Sequence, residues 1–308
     1  MKTINYSFII PHKNSYELLN RCLKSIPQRN DIQIIVIDDN SDNTTKLKDV
    51  ILKHPQVELY LTSENRGAGY ARNVGLSYAK GKWILFPDAD DYYDTNNLIN
   101  LLNKFAFDTK TDMVYLNAQI VNEMEQKKVY IMSSLIDNYL HKRIYSEKNI
   151  RYSIWTPWTR MVKRHIIDKH NILFEEIPIG NDAMFSLNCS KYAQTITAFS
   201  DIVYFYYMPS EGSITCKKYN NLSILESRIA NVNRRNELYK SVKYLFRGSV
   251  LRMCFAQYKS DNYNRDTLNH IRNIMQRNRI NLFNDLINLF MNFLSRIFHV
   301  KYYLKKIL

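Results

Sequence analysis

The chain has 308 residues, 45% of them hydrophobic, and carries 43 lysines and arginines against 29 aspartates and glutamates. That length and apolar content suit one large domain with an appendage, or two domains, and exclude a disordered chain. No run of 18 uncharged apolar residues and no charged-then-apolar leader occurs, so neither a membrane-spanning helix nor secretion is expected, and the cytoplasm is the expected compartment.

The charge is unevenly spread. Residues 1–216 hold 25 basic and 24 acidic side chains, whereas residues 217–308 hold 18 and 5, so the last third carries nearly all of the excess. Such an asymmetry points to an anionic partner for the tail. The four cysteines, Cys22, Cys189, Cys216 and Cys254, lack CxxC spacing, and the seven histidines show no HExxH pattern. Reduced structural thiols and no zinc site are expected.

In chain order, strands are expected at 6–11 ("YSFIIP"), 32–37 ("IQIIVI"), 57–61 ("VELYL"), 82–86 ("KWILF") and 112–117. Helices are expected between them at 15–26, 44–54, 68–79 and 95–105. This alternation predicts a parallel α/β sheet, and the runs "FII", "IIVI" and "WILF" are apolar on both faces, as strands covered on two sides must be. From 128 to 216 the pattern is irregular and aromatic-rich. Beyond Lys217 helices are expected at 220–246, 248–259, 264–276 and 281–306. The last has an apolar stripe through Leu282, Phe283, Leu286, Phe290, Phe293 and Phe298, opposed by Asn284, Asn288 and Arg296.

Ligands of such sheets bind beyond the carboxyl ends of the strands. Three polar clusters fall there: "PHKN" after the first strand, "DDNSDN" after the second and "PDADD" after the fourth. Asp88 and Asp90, one residue apart, have the oxygen-only chemistry of a Mg²⁺ or Mn²⁺ half-site; a solvated acidic turn is the other reading of that spacing. Asp94 fits the cap of the following helix, and Asp42 or Asn43 that of the helix after the second strand. Ala71, Gly75 and Ala79 give a small helical face for close approach to a strand, Arg72 and Asn73 are the polar members, and Arg72 is able to neutralise a phosphate or pair with an aspartate.

Taken together, "IIPHKN", "IDDNSDN" and "ENRGAGYARNVGLSYAKGKWILFPDADD" resemble the family-2 glycosyltransferases. The resemblance is specific over about residues 5–95 and looser to 216. It implies a GT-A fold, with a nucleotide-sugar half at 1–120 and an acceptor half at 121–216, followed by a basic helical extension at 217–308. It further implies nucleoside contacts from Asp39 and Asp38, with Pro11, Lys13 and Asn14 at the base, and Arg72 beside the donor phosphates. Asp88 would face donor hydroxyls and Asp90 the divalent metal, with Asp91 in support or as a further ligand. "PIGNDAMFSL" resembles the family's acidic pair, which maps the catalytic base to Asp182 and leaves Asn181 where a Glu is usual. "PWTRM" resembles its W-x-K stretch, with Trp158 as a sugar platform and Arg160 in the Lys position.

The implied activity is metal-dependent, inverting transfer of a hexose from a nucleotide sugar, with UDP as the first guess. The acceptor would be a glycan or lipid-linked molecule of cell-surface polysaccharide synthesis. The basic amphipathic end suggests an anionic membrane surface on the cytoplasmic leaflet, and no nucleic-acid motif accompanies its charge. Two other readings stand beside this one. A sugar nucleotidyltransferase would place a Gly-rich loop after the first strand, where "PHKNSYELL" has none; a non-catalytic glycan- or nucleotide-binding component would use the acidic clusters as turns.

Overall fold

A computed structural model describes residues 3–122, 127–129, 131–208, 222–244, 248–278, 280–290 and 293. They form two compact units, one of Met1–Glu176 with Asn181–Ser213 and the other of Ile177–Gly180 with Ile214–Leu308.

The first unit is built on β1 (Tyr6–His12), β2 (Ile32–Asp38), β3 (Val57–Leu61) and β4 (Trp83–Leu85). These four strands pair in parallel in the order β3-β2-β1-β4. The helices between them are α1 (Tyr16–Ser25), α2 (Thr44–Leu52) and α3 (Ala68–Tyr78). Both faces of the central strands are covered. Phe8, Ile10, Ile34 and Val36 join one buried cluster with α1, while Ile9, Ile35 and Ile37 join another that includes Ala71. Gly75 allows that second contact, because a Cβ there would stand 2.3 Å from Ile9 Cγ2. Asn43 caps α2 through Lys46 N at 3.0 Å, and Asp94 caps α4 (Thr95–Phe105) through Asn97 N at 2.9 Å, as their positions predict.

The irregular stretch is more ordered than its pattern suggests. After β5 (Tyr92–Tyr93) come β6 (Met113–Asn122), β7 (Lys127–Val129), β8 (Arg160–Lys163) and β9 (Ile196–Met208). Among the described residues they extend the sheet to nine strands in the order β3-β2-β1-β4-β8-β6-β9-β5, with β7 on β6. Pairing of β8 with β4 and β6 is antiparallel. The helices here are α5 (Ile131–Leu140), α6 (Ser146–Tyr152), α7 (Arg164–Lys169) and α8 (Ala183–Tyr192). The strand expected at 112–117 is the start of β6, which runs beside β9 through a bulge near Asn117 that breaks strict alternation.

The second unit has α9 (Leu222–Ser241), α10 (Val250–Ser260) and α11 (Arg265–Arg277), with residues 282–290 also helical. Its core gathers Leu225, Ile229, Val232, Val250, Cys254, Ile271 and Ile274. The carboxylate of Asp285 accepts hydrogen bonds from Ser249 Oγ (2.8 Å), Val250 N (3.0 Å) and Leu251 N (2.8 Å). An anion at a helix start is favourable, and this one fixes which face of the last helix turns inward. The polar side is held in, and Leu282, Phe283, Leu286 and Phe290 are left 52%, 72%, 55% and 60% exposed. The rest of the helix expected at 281–306, apart from residue 293, lies outside the described residues, as does Cys216. The cysteines at 22, 189 and 254 are buried and free. No helix among the described residues is long and apolar enough to cross a membrane.

Candidate functional site

Parallel pairing of β1 with both β2 and β4 brings the three polar clusters to one end of the sheet. At the end of β1, His12 Nδ1 lies 2.7 Å from Asp38 Oδ1, and His12 Nε2 accepts from Ser15 N at 3.2 Å. Since Nε2 accepts, the proton sits on Nδ1 and is donated to Asp38. Asp38 Oδ2 also accepts from Ser41 N at 2.9 Å, and its Oδ1 from Ser41 Oγ. Burial works against the ionised form, but these bonds prevail and hold the Asp38 carboxyl below the usual range. Asp38 is thus taken up in bracing the turn. Asn14, in the left-handed region at φ 55, bonds Asp42 reciprocally through its amide, with both distances 2.8 Å. Lys13 is exposed and Pro11 half-buried beside it.

Asp39 is cradled by backbone. Its Oδ1 accepts from Arg66 N at 3.0 Å and its Oδ2 from Gly67 N at 2.7 Å, at the start of α3. That anchors the helix bearing Arg72, a residue only 5% exposed. Arg72 is the junction of the site. Its Nη2 donates to Asp88 Oδ1 in an ion pair, and its Nη1 donates to Asn181 Oδ1 at 3.2 Å, 109 residues along the chain. One guanidinium therefore ties the carboxylates after β4 to the segment carrying Asp182.

Oxygen atoms of Asp88, Asp90 and Asp91 lie within 4.8 Å of one another. Asp91 is fully buried, accepting from Tyr204 Oη at 2.6 Å and from Tyr207 N at 2.8 Å, while Asp88 N donates to the same Tyr204 Oη at 3.0 Å. Burial, then the charges of Asp88 and Asp90, push Asp91 well above the carboxylate range. Burial and then Asp88 lift Asp90 to about 6. With Asp90 and Asp91 raised in this way, the crowded carboxylates are a donor set short of positive charge, and hard oxygen donors of this kind fit Mg²⁺ or Mn²⁺. Asp90 is half-buried, and among the described residues no side chain of another residue hydrogen-bonds its carboxylate.

Asp182 is half-buried at the start of α8. Burial raises its carboxyl and Arg72 works in the opposite direction, which leaves a carboxylate more basic than usual beside a cation. Its approach segment is clamped to α3. Asn73 Nδ2 donates to Phe174 O at 3.0 Å, and Phe174 N donates to Asn73 Oδ1 at 2.8 Å. Gly69 is required for the same contact, since a Cβ would meet Glu175 O at 2.2 Å.

Trp158, expected on the acceptor side, and Arg160, in the Lys position of the W-x-K-like stretch, have other work. Trp158 is 5% exposed and stacked on Tyr204 and Tyr206 at 5.0 and 5.4 Å, so its indole is a packing ring and not an open sugar platform. Arg160 is fully buried, donating to Ser186 O at 2.6 Å and Ile154 O at 2.8 Å beneath α8. Sequence reading missed Tyr204, Tyr207 and Arg21. The tyrosine run 203–207 was visible, but alternation along a strand does not say which hydroxyl turns to which carboxylate.

A family model described as "Glycosyl transferase family 2" matches residues 7–170. Over 209 residues the chain is 23% identical to the uncharacterized glycosyltransferase EpsJ of Bacillus subtilis, covering 65% of this chain and 60% of that one. Over 216 residues it is 25% identical to the poly(ribitol-phosphate) beta-N-acetylglucosaminyltransferase TarS of Staphylococcus aureus, covering 68% and 36%. The chain thus spans less than two thirds of the length of these curated relatives. Among solved structures, residues 1–349 of S. aureus TarS in complex with UDP-GlcNAc superpose with a TM-score of 0.60 at 19% identity, over 79% of this chain and 72% of that one. A mannosyltransferase of Pyrobaculum calidifontis in complex with GDP-Man and Mn²⁺ gives 0.53 at 16% identity, over 89% and 75%. The nine-stranded sheet with its helical covering is the GT-A fold, and the chain belongs to glycosyl transferase family 2.

Proposed function

We propose that the protein transfers a hexose from a UDP-linked donor to a hydroxyl of a glycan or lipid-linked acceptor, with inversion, in cell-surface polysaccharide synthesis. The observation that supports the proposal is Arg72, whose guanidinium spans Asp88 and Asn181 and so ties the carboxylate cluster to the segment carrying Asp182. The UDP donor is suggested by TarS, crystallised with UDP-GlcNAc. The polymer acceptor is suggested by the names of the curated relatives.

In this reading the nucleoside lies against the turn of Pro11, Lys13 and Asn14, with Asp39 shaping its floor through the backbone it holds. Asp38 braces that turn without touching the donor. Asp90, with Asp88 and a supporting Asp91, would hold Mn²⁺ or Mg²⁺. Such an ion supplies Lewis-acid stabilisation of the departing diphosphate. Arg72 contributes its own positive charge to the same side. Asp182 removes the proton of the acceptor hydroxyl as the oxygen bonds to the anomeric carbon. The bond from that carbon to the diphosphate breaks, and its electron pair leaves with UDP. Asn181 keeps the acceptor-side wall uncharged, so Asp182 faces no neighbouring carboxylate from residue 181. UDP binding measured by calorimetry tests the metal arm: Mn²⁺ should strengthen it at least tenfold in the wild type and not in Asp90→Asn, and equal affinity with and without Mn²⁺ would contradict it.

We also infer that the second unit rests on an anionic membrane surface, which would place the enzyme peripherally on the cytoplasmic leaflet. The inward turn of Asp285 leaves an apolar ridge of Phe283, Leu286, Phe290 and Phe293 facing outward, in a segment whose sequence carries 18 basic against 5 acidic side chains. Apolar burial together with attraction to anionic lipid is the chemistry of an interfacial helix.

A further inference from the structure

Arg21 belongs to none of the motifs, yet it reaches the carboxylate turn. From α1 its Nη2 donates to the main-chain carbonyl of Asp90 at 2.6 Å, 69 residues away in sequence. Its guanidinium lies 4.7 Å from the Tyr92 ring centroid and 4.3 Å from that of Tyr207. The cation is thus in contact with aromatic rings from the turn's exit and from the end of β9. Its Nε is buried and has no hydrogen-bond partner. A side chain that forgoes one hydrogen bond on burial is held in place by its other contacts, here two rings and one carbonyl.

Those contacts determine what the cluster can do. The carbonyl of Asp90 belongs to the peptide that joins Asp90 to Asp91, so fixing it orients both residues. Asp91 is fixed from the far side by Tyr204 Oη and Tyr207 N. Tyr207 therefore serves twice, its N–H on Asp91 and its ring on Arg21. The turn also closes on itself through Asp91 N to Asp88 O at 3.1 Å. Arg72 spends its charge on the carboxylate of Asp88, whereas Arg21 grips the backbone and leaves the carboxylate of Asp90 open to a ligand.

We propose that Arg21 is a positioning residue that holds the Asp88–Asp91 turn in the shape needed to accept a divalent cation. This rests on the metal reading of the cluster given above. A plain counter-charge role predicts the opposite sign: removing a cation from beside three carboxylates would tighten the binding of another cation. Loss of positioning weakens it.

The test is Mn²⁺ affinity of the full-length protein without nucleotide, followed by electron paramagnetic resonance of free Mn²⁺, for wild type, Arg21→Met, Arg21→Gln and Arg21→Lys. Expected is a loss of about tenfold in the methionine and glutamine variants, despite the removed positive charge. The lysine variant should recover part of it, because an ammonium can donate to the same carbonyl. Circular dichroism identifies the folded variants, and either neutral variant suffices. Mn²⁺ affinity equal to or tighter than wild type in a folded neutral variant overturns the positioning role. A wild type that binds no Mn²⁺ overturns the metal reading itself, a different result from the same titration.

Discussion

Removing the charge at residue 90 should stabilise the metal-free protein, and only above the acidic range. Burial and then the neighbouring Asp88 lift the Asp90 carboxyl from 3.8 to about 6. At ~1.4 kcal/mol for each pH unit, ionised Asp90 costs the folded state about 3 kcal/mol relative to the unfolded chain. Between 3.8 and about 6 the folded protein retains a proton that the unfolded chain has released. Stability from this group is therefore complete below that window, falls with rising pH across it, and is lost above it. Asp90→Asn has no such proton, so the variant should match wild type near pH 4 and exceed it by about 3 kcal/mol near pH 7. Urea unfolding in EDTA at matched pH measures the difference directly. Subtracting wild type from variant cancels the carboxylates that slope the other way, such as Asp38 and Asp31, whose ionised forms are favoured. Saturating Mn²⁺ should narrow the gap, since a ligand of the native state alone stabilises wild type and finds a neutral amide in place of the charged carboxylate in the variant. A difference that is flat between pH 4 and pH 7, or that favours wild type at pH 7, would refute the reasoning.

Two further outcomes follow from the same geometry. Arg72→Met removes the bridge between Asp88 and Asn181, and steady-state kinetics should show kcat/KM lower by about 10²-fold, a loss of about 2.7 kcal/mol; Arg72→Lys should recover little, because one ammonium does not span two acceptors, and full recovery would contradict the bridge. In liposome sedimentation at low salt, the full-length protein should pellet with anionic vesicles more than a form ending before Leu282, and equal pelleting of the two would remove the ridge from the membrane account.

How much of this was legible in the sequence varied with the range of the interaction. The first four strands and helices were readable because each carries its own local signal: two-sided apolar runs in β1 and β2, a caps-then-stripe pattern at Asn43 and Asp94, and the small face at Gly75. The placing of Asp39 and Asp88–Asp91 at the carboxyl ends of parallel strands was likewise readable from the order of polar clusters. The bridge from Arg72 to Asn181 was not legible, since nothing local at either end specifies a partner 109 residues away. Trp158 misled for a related reason. An aromatic in a site-like motif has the same residue signal whether its face is open or covered, and here Tyr204 and Tyr206 cover it. The apolar stripe of the last helix was visible in sequence, but its outward direction depends on Asp285 reaching the start of α10.

The central claim is that Asp182 is the base of a sugar transfer whose donor is held on the Asp88–Asp91 side. Release of UDP from UDP-GlcNAc in the presence of an acceptor glycan, compared between wild type and Asp182→Asn with calorimetric UDP affinity measured in parallel, tests it most directly. The account predicts a loss on the order of 10³-fold in rate with UDP affinity unchanged. Transfer retained to within tenfold in the folded variant would contradict it.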